Sequence, residues 1–386
     1  MCIASSVGFG QQATLSALAS GHSGLLPCHF ETVTLPTWTG EIEALDTIRL
    51  PPSLETFDCR NNKLAELTIR QDGFDDAVRA AVERYGAARI GLFVGTSTSG
   101  ILQTEQAYRM RDPALPAWFH YAETHNTSSL AAYLRVRLGI AGPSFVVSCA
   151  CASSAKAFGN AARMIAAGLC DAAIVGGADS LCLTTLYGFH SLNLNAPGPC
   201  RPFDVNRDGI SIGEAAGFVL LEPMRTGDRT DGVRLLGIGE SNDAHHMSSP
   251  HPEGVGARLA MERALASAGL RPADIDYINL HGTATRVGDA AEDAAVNSVF
   301  GDATARGSTK GHTGHTLGAA GAVEAIISAL AIEHGLLPGS PHTEMIDPAF
   351  RGRYQLTSER ARVDRVLSNS FGFGGSNCSL VLGCSR

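Results

Sequence analysis

Apolar, β-branched runs alternate along the chain with stretches of small residues at helical spacing. Residues 89–95, Arg-Ile-Gly-Leu-Phe-Val-Gly, read as a buried strand, and so do residues 145–148 and 172–176. Between the last two, residues 152–168 are rich in Ala and Ser and read as a helix. Strand, helix, strand with short connections is a βαβ unit, which implies a parallel sheet covered by helices. Residues 216–221 form a further strand that closes a first half. A polar, turn-rich connection, residues 222–231, follows. The pattern then resumes with a strand at 233–237, a helix at 254–268 stopped by Gly269, and a strand at 275–280 that runs into His281. An Ala-rich helix at 318–334 and strands at 365–368 and 379–382 complete it. The Ala/Gly-rich helices after Cys151 and after His315 suggest a duplicated βαβ plan, with halves at 1–225 and 226–386.

Composition narrows the function classes. The 386 residues are 44% hydrophobic, enough for a large core, and the 43 glycines are interleaved with apolar runs, which implies tight turns and close contacts. The net charge of −8 argues against nucleic acid or an anionic membrane as main partner. The N-terminus lacks a basic segment followed by an apolar one, and no uninterrupted apolar stretch of about eighteen residues is seen, so neither a signal peptide nor a membrane span is expected. Ten cysteines in a chain of this length are no disulfide framework, which fits a reducing, cytoplasmic setting.

Cys151 is the focus of the candidate chemistry. It stands where an apolar strand feeds a helix, so free backbone N–H groups and the positive dipole end would favour an anion there. That placement predicts a thiol pKa below the usual value of about 8.5 and a nucleophile suited to acyl transfer. Packing is the competing reading. Cys149 two residues earlier makes a Cys-x-Cys half-site, but no second Cys/His pair has zinc spacing, and no metal is expected. Three further segments bear on Cys151: residues 279–285, Asn-Leu-His-Gly-Thr-Ala-Thr; residues 308–315, Ser-Thr-Lys-Gly-His-Thr-Gly-His; and residues 369–377, Asn-Ser-Phe-Gly-Phe-Gly-Gly-Ser-Asn. His281 and His315 lie in glycine-bearing loops at strand ends, the place where α/β proteins put their sites. Gly372, Gly374 and Gly375 permit a backbone in which an N–H near Phe373 meets a bound oxygen.

These segments resemble those of β-ketoacyl-acyl-carrier-protein synthases, the decarboxylating condensing enzymes of the thiolase superfamily. The Cys-Ala-Ser-Ser-Ala turn at 151–155, Arg201-Pro202-Phe203-Asp204 with Arg207-Asp208-Gly209, His281-Gly282-Thr283, Lys310 with Gly314-His315, and residues 369–377 carry the resemblance over nearly the whole chain. It implies a thiolase-like α/β fold of two similar halves in five layers, α-β-α-β-α. It implies that Cys151 accepts an acyl group and that the N–H groups of Cys151 and Phe373 hold the oxyanion. His281 and His315 then bond the thioester carbonyl of malonyl-carrier protein, and decarboxylation yields a 3-oxoacyl product. Lys310 is implied to support the histidines with Glu324 as its partner; an ordinary buried ion pair is the alternative. Thr283 and Thr285 match pantetheine contacts, or satisfy local backbone. Phe371 and Phe373 are candidate gates of the acyl pocket, Phe371 being equally readable as core.

The implied partners are an acyl carrier protein and a second ketosynthase-like subunit, identical or not. No cofactor is implied beyond the carrier's phosphopantetheine. A second histidine at 315 separates this pattern from initiating synthases with His and Asn and from thiolases with a second Cys. The chain differs from the family in lacking its usual first strand, which points to a truncated or misassigned start or to a compensating strand, and in short regions near 100–140 and 188–200. Residues 95–100, Gly-Thr-Ser-Thr-Ser-Gly, suggest aryl-polyene-type pathways. Arg60 and Lys63 are candidates for carrier docking, against an ordinary solvated face.

Overall fold

The computed structural model of the chain describes residues 1–224 and 232–384. The expected boundary between halves, at 225/226, and most of the expected connection lie outside the described residues.

The first half is built on strands β1 (Cys2–Ser5), β2 (Gly8–Phe9), β3 (Ile90–Gly95), β4 (Ser144–Val147), β5 (Ala172–Asp179) and β6 (Ala215–Leu221). They form one sheet in the order β2-β1-β6-β5-β3-β4. β5, β3 and β4 are parallel, as the βαβ pattern requires, whereas β6 runs antiparallel to both of its neighbours, β5 and β1. The second half uses β7 (Arg234–Asn242), β8 (Tyr277–Asn279), β9 (Ala305–Gly307), β10 (Arg353–Tyr354), β11 (Arg365–Gly372) and β12 (Ser376–Gly383), in the order β7-β12-β11-β8-β9-β10. Aligning β1-β6-β5-β3-β4 with β7-β12-β11-β8-β9 matches every parallel and antiparallel pairing. The plan is therefore duplicated.

Helices α1 (Arg60–Ile69), α2 (Phe74–Tyr85) and α3 (Ser129–Arg137) cover the outer face of the first sheet, with Leu64, Phe74 and Leu134 packed on Leu92, Val94 and Ile174. The inner face presents the alternate residues Phe93, Ala173 and Val175. Against them lie α4 (Ser153–Ala166) and, from the second half, α7 (Ala320–His334); the far side of this layer meets Val366, Leu380 and Leu382 of the second sheet. Helices α5 (Val255–Ala268) and α6 (Arg286–Phe300) close the stack over Ile278, Leu367 and Val381. The result is five layers, α-β-α-β-α.

Small residues make the central layer thin. A Cβ on Gly321 would fall 2.5 Å from the backbone nitrogen of Ala155, so α4 and α7 meet backbone to backbone. Every residue from Ala320 to Ile332 is buried. Each large apolar side chain buried this way contributes roughly 1.5–3 kcal/mol, which outweighs the few tenths set by helix propensity. By length and composition residues Leu317–His334 would also suffice to cross a membrane, a stretch not expected from the sequence; here it is 89% buried between the two sheets.

One expectation is resolved and one corrected. In place of the family's usual first strand the first sheet has a compensating one: Cys2–Ser5 pairs with β6, Cys2 opposite Phe218 and Ser5 opposite Ala215, and all four residues are buried. Arg60 is no docking residue. It is 6% exposed, and its guanidinium binds Glu214, 0% exposed, at 2.6 and 2.9 Å, as well as Asp46 at 2.9 Å. Lys63 is partly exposed and pairs with Asp58 at 2.9 Å.

Candidate active site

Cys151 stands in the short connection from β4 to α4, where Ala152 caps the helix without a side-chain bond; the Ala152 and Ser153 N–H groups donate to the Cys149 and Ala150 carbonyls at 3.3 and 3.1 Å, and the N–H of Cys151 itself faces its sulfur. The chain reaches Cys151 through Ala150, held at φ 49°, a costly value for a residue with a Cβ. The Ser153 hydroxyl fixes this bend, accepting from the Cys149 N–H at 2.8 Å and donating to the Ala150 carbonyl at 2.5 Å. From the second half, the end of β11 comes close: a Cβ on Gly372 would lie 2.9 Å from the Cys149 carbonyl and 3.2 Å from the nitrogens of Cys151 and Ala152. Glycine there brings the next residue's N–H, that of Phe373, onto the Cys151 sulfur.

The Phe373 loop is itself held. The Gly374 N–H donates to the Met247 carbonyl at 2.8 Å, the Asp243 N–H to the Gly375 carbonyl at 2.9 Å, and the Asn242 amide to the Gly374 carbonyl at 3.1 Å. The Phe373 ring is 37% exposed and lies 5.6 Å from that of Phe189, a residue the sequence had not marked.

His315 Nε2 is 3.0 Å from Cys151 Sγ. The His281 ring lies 5.3 Å from that of His315, nearly perpendicular at 87°, and 5.9 Å from the Phe371 ring. Behind His281, Lys310 Nζ is 3.5 Å from Nδ1, and Lys310 forms a buried ion pair with Glu324. An ammonium can only donate, so it leaves the proton of a neutral His281 on Nε2. Thr283 and Thr285, with hydroxyls 3.1 Å apart, line the same cavity of about 390 Å³ as Cys151, His281, His315, Phe371 and Phe373. All the expected site residues are thus brought together, with Lys310 and Glu324 in the layer behind.

Burial governs the electrostatics. It holds His281 and His315 well below the ordinary histidine range, and the Lys310 charge adds to the effect, so both rings are neutral at physiological pH. It pushes the Glu324 carboxyl up to about 7 against the pull of Lys310. It also pushes the Cys151 thiol up to about 11, although Lys310 and the N–H groups of Phe373 and Cys151 pull it down. The expected lowering of the thiol is therefore corrected: desolvation exceeds the helix-end effect. Removing the thiol proton at neutral pH needs a base, and His315 Nε2 is in place for it.

The sequence had missed the carboxylates that hold the loops. Glu292 on α6 accepts the N–H groups of His281 and Gly282, both at 2.8 Å, and the Asn369 amide at 3.1 Å. Asp289, one turn earlier, accepts the N–H groups of Phe203 and Ala284 at 2.7 and 3.1 Å. This explains the Arg201 to Asp204 segment as a brace on the His281 loop. The only sequence signal was the acidic spacing Asp289 and Glu292, i and i+3 on one helix face.

Donor atoms of Cys151, His281 and His315 lie within 4.8 Å of one another, a set able to take a soft divalent cation. The Lys310 ammonium behind His281 opposes one. Cys149 acquires no role beyond its backbone contacts.

Residues 64–226 match the family described as Beta-ketoacyl synthase, N-terminal domain, and residues 233–344 its C-terminal domain. The mitochondrial 3-oxoacyl-[acyl-carrier-protein] synthase of Arabidopsis thaliana is 42% identical over 64% of this chain and 58% of its own length. The 3-oxoacyl-[acyl-carrier-protein] synthase 2 of Vibrio cholerae is 33% identical over 99% of this chain and 97% of its own. Among solved structures, the ketosynthase ApeO in complex with its chain length factor ApeC, from Xenorhabdus doucetiae, has a TM-score of 0.91 at 37% identity, covering 100% of this chain and 96% of that one. The ishigamide ketosynthase/chain length factor gives 0.87 at 29%, covering 100% and 98%.

Proposed function

The chain belongs to the β-ketoacyl synthase family, as an acyltransferase of the 3-oxoacyl-[acyl-carrier-protein] synthase type, and we propose that it works by decarboxylative condensation at Cys151. His315 Nε2 takes the thiol proton and the sulfur attacks an acyl thioester on a carrier protein. The tetrahedral oxyanion sits between the N–H groups of Cys151 and Phe373, and the carrier thiolate leaves and takes up a proton from solvent, so that His315 keeps the Nε2–H it gained. Malonyl-carrier protein follows. The bond from its methylene carbon to the carboxylate breaks, carbon dioxide departs, and the electron pair passes into an enolate. His281 and His315 donate to the enolate oxygen, His281 from the Nε2–H fixed by Lys310. The enolate carbon attacks the acyl-Cys151 carbonyl, and collapse expels the Cys151 thiolate, which takes back the proton from His315 Nε2, leaving a 3-oxoacyl-carrier protein two carbons longer. No cofactor takes part beyond the phosphopantetheine arm, for which Thr283 and Thr285 are the contacts.

The observation that carries this reading is the placing of Cys151, His315 and a Lys310-backed His281 in one cavity. Two similar structures are ketosynthases with chain length factors. With residues 95–100, they favour a heterodimer with such a subunit in a specialised polyene-type elongation, in the cytosol. Intact-mass measurement after incubation with acyl-carrier proteins tests the function. Acyl transfer to the wild type but not to Cys151→Ala is expected, then condensation when malonyl-carrier protein is added. No acylation by any chain from short to long would overturn it.

A further inference from the structure

Asp179 ends β5 and is 0% exposed. Its carboxylate takes five donors from two directions. From the loop after β3 come the Thr96 hydroxyl at 2.8 Å, the Ser97 N–H at 2.8 Å, and the Thr98 N–H and hydroxyl, both at 2.7 Å. From the second half comes the Gly318 N–H, at 2.5 Å from Oδ2. Gly318 lies three residues after His315, in a turn where Leu317 is held at φ 51°. A Cβ on Gly318 would fall 2.7 Å from Asp179 Oδ2 and 2.7 Å from the Ser97 hydroxyl, so the three segments are in direct contact. Ser97 in turn reaches the carbonyl of Ala150, the residue before Cys151, at 3.4 Å.

One carboxylate therefore holds the turn after His315 directly and, through Ser97, reaches the residue before Cys151, on either side of the 3.0 Å gap between His315 and Cys151. We propose that Asp179 is a positioning residue of the condensing site, setting the distance and aim of His315 relative to Cys151 without touching substrate. The proposal rests on the ketosynthase reading above. Duplication supports it: β5 and β11 are equivalent strands, and each ends on the helix start of the other half, Gly372 on that of α4 and Asp179 on the turn into α7. The C-terminal end of β11 supplies a donor to the reacting atoms; the end of β5 supplies an acceptor to the frame. Burial raises the Asp179 carboxyl above the usual carboxylate range in spite of the five donors, and its negative potential adds to the burial that raises the Cys151 thiol.

Asp179→Asn keeps the shape but puts an NH2 where an acceptor was, so either the Gly318 or the loop 96–98 contact fails. Two readouts are expected together. kcat for condensation falls about tenfold or more, with KM for the carrier thioesters within about twofold. The pH midpoint of Cys151 alkylation by iodoacetamide moves down by about half a unit or more, because a negative charge is lost while the other ionisable groups facing the thiol, His315, His281 and Lys310, remain. Asp179→Asn with wild-type kcat, or with a lower kcat and no shift of the midpoint, overturns the proposal, the second result indicating loss of packing alone. Should that variant not fold, Thr98→Val removes one donor at nearly constant volume; a kcat within about 1.5-fold of wild type overturns the proposal, and a threefold or larger loss at unchanged KM supports it. Both variants are scored as ratios to the wild type. A wild type that is never acylated refutes the ketosynthase reading, whereas an active wild type with unaffected variants refutes only the role of Asp179.

Discussion

Two connections occupy the same place in the duplicated fold: residues 148–152 between β4 and α4, and residues 308–319 between β9 and α7. The first is five residues long and delivers Cys151 straight to an uncapped helix start. The second is twelve long, folds a helical turn at Lys310–Thr313, and carries a cation and two histidines into a fully buried layer. The short connection has no room for a second functional side chain and offers backbone N–H groups. The long one has no cysteine and offers a base and a charge, whose counter-ion Glu324 stands on α7. On the proposed mechanism the two halves divide one reaction: the first holds the acyl group and the second manages protons and the charge of decarboxylation. They exchange strand ends to do so, which is why neither half contains a complete site.

The sharpest way to break that division is to remove each histidine in turn. His281→Ala and His315→Ala should both lose condensation by about 10²–10⁴, the range of a positioned acid–base group. Both should remain open to acylation, since the Cys151 and Phe373 N–H groups stay in place. The structure adds an asymmetry: acylation at neutral pH should be slower in His315→Ala than in His281→Ala, because only His315 reaches the thiol that burial has raised. Rapid-quench acylation and malonyl decarboxylation, followed separately, decide it. Equal acylation rates would remove His315 from the first half-reaction.

The exchange of strand ends is tested next by Gly372→Ala. Its Cβ would press on the Cys149 carbonyl and push the Phe373 N–H off the oxyanion. One lost donor of this kind costs about 10²–10³ in rate. Acylation and condensation should fall together here, since both pass through a tetrahedral oxyanion at the same carbon. A loss confined to decarboxylation would place the donor elsewhere.

Much of this was readable from the chain. The longer strands of both sheets follow from apolar runs, whereas the short β2, β9 and β10 carry none; the site follows from Cys151, His281, His315 and the 369–377 segment, where Gly372 marks a close approach of two backbones. What was not readable depends on partners distant in sequence. Arg60 reads as a surface charge until Glu214, 154 positions away, is folded against it. Cys2–Ser5 is too short to read as a strand until β6 pairs with it. The thiol pKa was misjudged because a helix end is a local feature, whereas the desolvation that outweighs it comes from layers of both halves. Asp179, Asp289 and Glu292 carry no local pattern for backbone brackets; their donors lie on other loops.

The smallest effect at neutral pH belongs to His312, in the long connection. Its ring is 0% exposed, with Nδ1 2.7 Å from the His22 carbonyl and Nε2 3.3 Å from that of Gly339. Both partners are acceptors, so a protonated ring would satisfy both, yet desolvation dominates and holds the pKa at about 4. In the unfolded chain the ring takes up a proton near 6.5, in the fold only near 4. Stability from this group is whole above 6.5 and is lost as the pH falls from there toward 4. The loss approaches about 1.4 kcal/mol per pH unit, roughly 3 kcal/mol over the window. His281, His315 and His342, also held low, add losses of the same sign. The contribution of His312 is therefore read as a difference: between pH 6.5 and 4.5, the unfolding free energy of His312→Asn should fall less steeply than that of the wild type by about one proton's slope. Parallel slopes would mean that the ring is already charged in the fold. The long connection would then hold a second cation, and the electrostatic contrast with the short one would widen.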